Sequence, residues 1–131
     1  MQISSCAPEI MVVDDDPQVR EALTDFLGDE GFRVRDAADG ADALEQLERL
    51  RTLRDLPALL ILDLAMPVMD GYELLEQIQE DRQLSPIPIV VLSATIDREG
   101  LPEHITPLRK PIDSQVLIAS IRGILGGRYP S

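Results

Sequence analysis

Three short runs of this chain are apolar at every position: Ile10-Met11-Val12-Val13, Leu59-Leu60-Ile61-Leu62 and Ile89-Val90-Val91-Leu92. A strand with one wet face alternates apolar and polar residues. A run without that alternation reads as a strand covered on both faces. Sheets covered on both faces are parallel sheets wrapped by helices, so these runs exclude most all-β architectures before any other residue is considered.

Between the runs the periodicity becomes helical. Val19, Ala22, Leu23, Phe26 and Leu27 recur at the spacing of one helix face. Asp16 before Pro17 predicts an N-cap followed by proline at the first helical position, and Gly31 a stop. Phe32–Ala37 reads as a second, weaker strand, interrupted by Arg33 and Arg35. Asp39-Gly40 turns the chain into a second helix on Ala41, Leu44, Leu47 and Leu50, ending before Pro57. A third helix starts near Gly71 and carries Leu74, Leu75 and Ile78; Ser85-Pro86-Ile87-Pro88 is a loop. A fifth strand is expected around Thr106–Arg109. A last helix follows on Leu117, Ile121, Ile124 and Leu125, capped by Asp113 or Ser114 and ending at Gly126-Gly127. Only Ser93–Ile105 joins the fourth strand to the fifth, close to the minimum of about 10–12 residues for a parallel crossover. Gly100 and Pro102 oppose a helix there, so the expectation is a loop with at most one helical turn.

With 131 residues, the chain suits one domain with one core, expected over about 9–126 between short flexible tails. With two Tyr, two Phe and no Trp, the core must be aliphatic. A formal net charge of -12 argues against contact with nucleic acid or an anionic membrane, since phosphates are met by Lys and Arg. No apolar run approaches the ~18 residues of a membrane span, and Met1–Pro8 lacks the apolar stretch of a signal peptide. The lone Cys6 offers no disulfide framework, and a reducing cytoplasm is the expected compartment. Met1 is read as a natural start. A stand-alone domain and a piece of a longer protein both fit the other end.

The chemistry gathers where the apolar runs stop. Asp14-Asp15-Asp16 ends the first run, and Asp63 ends the run 59–62, followed by the Pro- and Gly-rich turn Leu64-Ala65-Met66-Pro67-Val68-Met69-Asp70-Gly71. Ligands of open α/β sheets bind at the carboxyl ends of the strands. Two neighbouring strand ends carrying carboxylates make a strongly negative pocket, and such a pocket calls for a hard cation. Carboxylates about 5 Å apart repel by roughly 3 kcal/mol per pair at an effective dielectric of ~20. That is a heavy load for a domain with ~5–15 kcal/mol of stability. A helix cap accounts for Asp16 alone; three caps would not converge, so Asp14, Asp15 and Asp63 are read as functional. His104, in the short fourth connection, is assigned no role, and Met66 and Met69 are read as packing.

The motifs VVDDDP at 12–17, LDLAMPVMDG at 62–71, VLSA at 91–94 and RKP at 109–111 occur in this order, each at a strand end. In this the chain resembles the receiver domain of bacterial two-component response regulators, from about Ile10 to Leu125. The resemblance implies a flavodoxin-like, doubly wound five-stranded parallel sheet of order 2-1-3-4-5, with the fourth helix short or absent. It implies that Asp63 accepts a phosphoryl group and that Ser93 and Lys110 bind phosphoryl oxygens. It further implies that Mg²⁺ is held by Asp14, Asp15, Asp63 and the backbone carbonyl of Ala65, and that Pro111 follows a cis peptide bond. The implied donor is a histidine kinase or histidine phosphotransfer protein, and the implied role is a phosphorylation-controlled switch that catalyses only its own phosphorylation and dephosphorylation. The downstream target is not readable, and monomer or weak dimer is the expected state.

The residue types fit those roles. A carboxylate can attack phosphorus, and an incoming anion then needs a cation and an ammonium to hold its oxygens. Two departures stand out. Pro107 occupies the place, three residues before the lysine, where the family usually has an aromatic. The fourth connection is short. An aspartate-nucleophile phosphohydrolase is the alternative, but Ala65 stands where that family has a second Asp. A pseudo-receiver acting only as a binding module is another. A nucleotide or flavin module lacks its Gly-rich loop and aromatics here.

Overall fold

The computed structural model describes residues 8–63, 71–93 and 105–126. Their elements run β1 (Glu9–Val13), α1 (Pro17–Asp29), β2 (Arg33–Ala37), α2 (Gly40–Thr52), β3 (Leu59–Asp63), α3 (Gly71–Gln79), β4 (Ile89–Ser93), β5 (Ile105–Arg109) and α4 (Ser114–Leu125). The expectation of a short or absent helix between the fourth and fifth strands falls on residues 94–104, outside the described residues.

All five strands are parallel, in the order β2-β1-β3-β4-β5. The apolar runs are the three inner strands, as their lack of alternation requires. β1 and β3 are buried at every residue, and β4 at all but Ser93. Their side chains alternate between two cores. Ile10, Val12, Leu59, Ile61, Val90 and Leu92 meet α1 and α4 through Leu23, Leu27, Leu117, Ile118, Ile121 and Leu125. Met11, Val13, Leu60, Leu62, Ile89 and Val91 meet α2 and α3 through Ala43, Leu47, Leu50, Leu74, Leu75 and Ile78. Each fully buried Leu or Ile stabilises the fold by about 1.5–3 kcal/mol.

The sheet margins are polar or interrupted. Exposed Arg33 and Asp36 lie on β2, and Pro107 on β5 opposite Val91. Charges and proline on edge strands prevent further strands from adding. This explains why β2 reads weakly from its sequence: an edge strand has less to bury.

The helix boundaries follow their caps. Asp16 accepts from the Gln18 N–H at 2.9 Å, Asp39 from Asp42 at 2.8 Å and Asp113 from Gln115 at 2.8 Å. Asp39 thus does more than turn the chain: it caps α2, which begins at Gly40. Helix α1 closes through Gly31 at φ 99°, a left-handed conformation that glycine adopts without a Cβ clash, with the Phe32 N–H donating to Leu27 O at 3.1 Å. One expectation shifts. Val19 and Ala22 share the helical spacing of α1 but are exposed, Val19 by 37%. The first turn of α1 overhangs the end of the sheet, and core contact starts at Leu23.

After α3, the turn through 80–87 is organised by Asp81. Its Oδ1 accepts from the N–H of Gln83 and of Leu84 at 2.9 and 3.2 Å, and its Oδ2 pairs with Arg51 of α2, which also pairs with Glu48. The Arg51 guanidinium, helped by these N–H groups, holds the Asp81 carboxyl below its ordinary value. A carboxyl depressed on folding contributes stability that is complete above its unfolded pKa, about 3.9, and disappears as the pH falls through the lower folded value. Asp81→Ala should therefore cost roughly 1–2 kcal/mol in urea unfolding at pH 7. The gap from wild type should shrink steadily as the pH is lowered below about 4.

Candidate functional site

The site follows from register. β1 and β3 pair with Val13 opposite Leu62, so the next residues along both strands, Asp14 and Asp63, emerge side by side at the carboxyl end of the sheet. β3 and β4 pair with Asp63 opposite Leu92. β4 and β5 pair with Ser93 opposite Arg109, and the Lys110 N–H extends that ladder by donating to Ser93 O at 2.9 Å. Four strand ends thus deliver Asp14-Asp15, Asp63, Ser93 and Lys110 to one edge of the sheet.

Oxygens of Asp14, Asp15 and Asp63 lie within 4.8 Å of one another. Asp14 and Asp63 are buried, and Asp15 faces solvent. Lys110 Nζ donates to Asp63 Oδ1 at 3.0 Å. The peptide bond between Lys110 and Pro111 is cis. The cluster lines an open cleft of about 460 Å³ together with Asp16, Val19, Leu92, Pro111 and Ile112.

Asp14 carries the electrostatic load. Burial pushes its carboxyl above the ordinary value, and the charges of Asp63 and Asp15 push the same way. The Asp16 N–H, which donates to Asp14 Oδ1 at 2.9 Å, and Lys110 pull it back. The lysine is the single lysine of the chain, set among eleven arginines. An ammonium is a compact point charge with freely directed donors. Three hard carboxylate oxygens converging from two strands match the donor type that Mg²⁺ and Ca²⁺ take. The arrangement can therefore hold a divalent cation beside a carboxylate already contacted by an ammonium.

The geometry brings together Asp14, Asp15, Asp63 and Lys110 as the sequence suggested, with Ser93 on the neighbouring strand end. Asp16 is the helix cap that it resembled. Ala65 lies outside the described residues, as do Cys6, Met66, Met69 and His104. Sequence reasoning passed over Arg20, whose Nη1 donates to the Asp14 carbonyl oxygen at 2.9 Å. A signal was there. Helical side chains lean toward the N-terminus, so an Arg in the first turn after an acidic strand end reaches back to it.

The chain as a whole is similar to known proteins. The family model described as the response regulator receiver domain matches residues 10–122. Response regulator Rre1 of Synechocystis sp. is 38% identical over 128 residues, covering 93% of this chain and 53% of that protein; the chain thus spans about half the length of this relative. A 14.6 kDa protein of Leptolyngbya boryana is 37% identical, over 87% of each chain. The signal receiver domain of a signal transduction histidine kinase from Syntrophus aciditrophicus superposes with a TM-score of 0.81 at 28% identity, over 95% of both chains. With its 2-1-3-4-5 sheet and its acidic strand ends, this chain belongs to the response regulator receiver domain family, whose members are phosphorylation-controlled signalling switches.

Proposed function

We propose that Asp63 accepts a phosphoryl group from a phosphohistidine of a histidine kinase or phosphotransfer protein, and that the phosphorylated domain signals to a downstream partner. The observation that carries this reading is the contact of Lys110 Nζ with Asp63 Oδ1 at 3.0 Å inside the acidic cluster. Among the described residues, Asp63 alone has its carboxylate at once among the metal-ligating candidates and on the ammonium.

In this reading the Asp63 carboxylate attacks phosphorus, an O–P bond forms, and the P–N bond to the donor imidazole breaks. The incoming group brings negative charge into a site that holds three carboxylates already, so the reaction depends on charge compensation. Lys110 moves from the carboxylate to a phosphoryl oxygen, a short swing for a flexible stem. Ser93, on the adjacent strand end, offers a hydroxyl to a second oxygen. Asp14 and Asp15, with Asp63 and the Ala65 carbonyl, would hold Mg²⁺. When bound, the ion supplies the positive charge that lets two anions meet.

The module acts on itself and not on a pool of substrates, which sets it apart from a phosphohydrolase. We read it as one receiver domain working in the cytoplasm; no helix among the described residues is long and apolar enough to cross a membrane.

Three outcomes follow. Asp63→Asn should stay folded and lose all phosphoryl incorporation from acetyl phosphate with Mg²⁺, because the amide keeps the shape but not the nucleophilic oxygen; undiminished incorporation would place the acceptor elsewhere, and rapid turnover of many monoesters by wild type would favour a phosphohydrolase. Mg²⁺ should raise the melting temperature of wild type, since it binds the folded cluster and not the unfolded chain, and Asp15→Ala should blunt that rise. Asp14→Asn should raise the melting temperature without metal at pH 7. Burial and like charges disfavour the ionised Asp14 in the fold, so removing the charge removes the penalty.

A further inference from the structure

Asp15 differs from its two companions in how it is held. Asp14 and Asp63 are buried, and packing restricts them. Asp15 is exposed, so its direction is set by its backbone. That backbone is tied through one peptide unit. The Asp14 N–H donates to Ala37 O at 3.2 Å, continuing the β1–β2 ladder by one step, and the Asp14 carboxylate accepts from the Asp16 N–H at 2.9 Å. The Asp14 carbonyl lies beyond the last ladder pair, and Arg20 Nη1 donates to it at 2.9 Å. A peptide group is planar, so fixing the Asp14 carbonyl also fixes the N–H and the Cα of Asp15.

Arg20 is itself anchored. Its Nε donates to Asp36 Oδ2 at 3.0 Å, at the end of β2, and its side chain is only 19% exposed. Asp36 is held in turn at its carbonyl by Gln46 of α2, at 2.9 Å. One guanidinium thus spans β2, α1 and the peptide from which the acidic pair projects. Its fork suits the task, with one edge for a carboxylate and one for a carbonyl.

We propose that Arg20 is a positioning residue of the cation site: by clamping the Asp14–Asp15 peptide plane against Asp36, it aims the exposed Asp15 carboxylate at the position where Asp14 and Asp63 converge. The inference rests on the reading of this cluster as a Mg²⁺ site. Asp36 takes up the guanidinium charge, so Arg20 acts by geometry.

Geometry and charge make opposite predictions. Removing a cation near a Mg²⁺ site tightens metal binding if charge alone matters. Removing a clamp loosens it, by roughly 10–100-fold for residues that orient metal ligands. Mg²⁺ alone is titrated into wild type, Arg20→Ala and Arg20→Lys by calorimetry, and hydrogen exchange of the Asp15 amide is followed without metal. Arg20→Ala should bind Mg²⁺ at least about tenfold more weakly and exchange faster at Asp15. Arg20→Lys keeps the charge but can serve only one of the two partners, and should fall between. A role in stability alone would lower the melting temperature and leave the affinity of the folded protein unchanged. Equal or tighter binding by Arg20→Ala overturns the proposal. If that variant does not fold, wild-type affinity in Arg20→Lys overturns it. No binding by wild type itself at tens of millimolar overturns the Mg²⁺ reading along with this one, and is told apart by that control.

Discussion

Everything at the site depends on the register between β1 and β3. Val13 stands opposite Leu62, and one step on, Asp14 and Asp63 leave the sheet together. A slip of one residue would turn the shifted strand over, sending its side chains into the wrong cores and parting the carboxylates. Register here is strongly specified, because both faces of both strands are buried against different helices. The apolar packing that stabilises the fold is therefore also what forces like charges into proximity. The domain cannot relax the acidic cluster by shifting a strand without losing its core.

The cluster is tolerable because it is partly answered from within. Lys110 arrives from the far side, off β5, and meets Asp63. The Asp16 N–H meets Asp14. Among the described residues, no buried side-chain nitrogen or oxygen lacks a hydrogen-bond partner. What is left over is charge rather than missing hydrogen bonds. Burial and two neighbouring carboxylates still push the Asp14 carboxyl up. A cluster with satisfied hydrogen bonds and uncompensated negative charge is suited to hold a cation.

Much of this was legible in the sequence, for identifiable reasons. The inner strands announce themselves because burial on both faces leaves no polar position. Asp16 and Asp113 mark helix starts because their carboxylates answer free N–H groups, whereas Asp39 was read only as a turn and proves to be a cap as well. That Asp14, Asp15, Asp63, Ser93 and Lys110 come to one edge was legible because each lies at a strand end, and strand ends in a parallel sheet share one edge. Edge strand β2 was harder, since Arg33, Arg35 and Asp36 break its pattern where it faces water. The exposure of Val19 was not legible: helical period tells which residues share a face, not how far the helix overhangs the sheet. Arg20 was passed over because its link to the acidic strand end runs to a backbone carbonyl, and its side-chain partner Asp36 lies sixteen residues away, so only its place in the first turn of α1 could have pointed to it.

The central claim is that Asp63 is the nucleophile of this cluster, and reductive trapping tests it most directly. An acyl phosphate on a carboxylate is reduced by borohydride to an alcohol, converting that aspartate to homoserine. After incubation with acetyl phosphate and Mg²⁺, peptide mass spectrometry should find the conversion at Asp63, dependent on Mg²⁺, and not at Asp14 or Asp15. Conversion at either of those residues, or none at any carboxylate while phosphate is incorporated, would contradict the account.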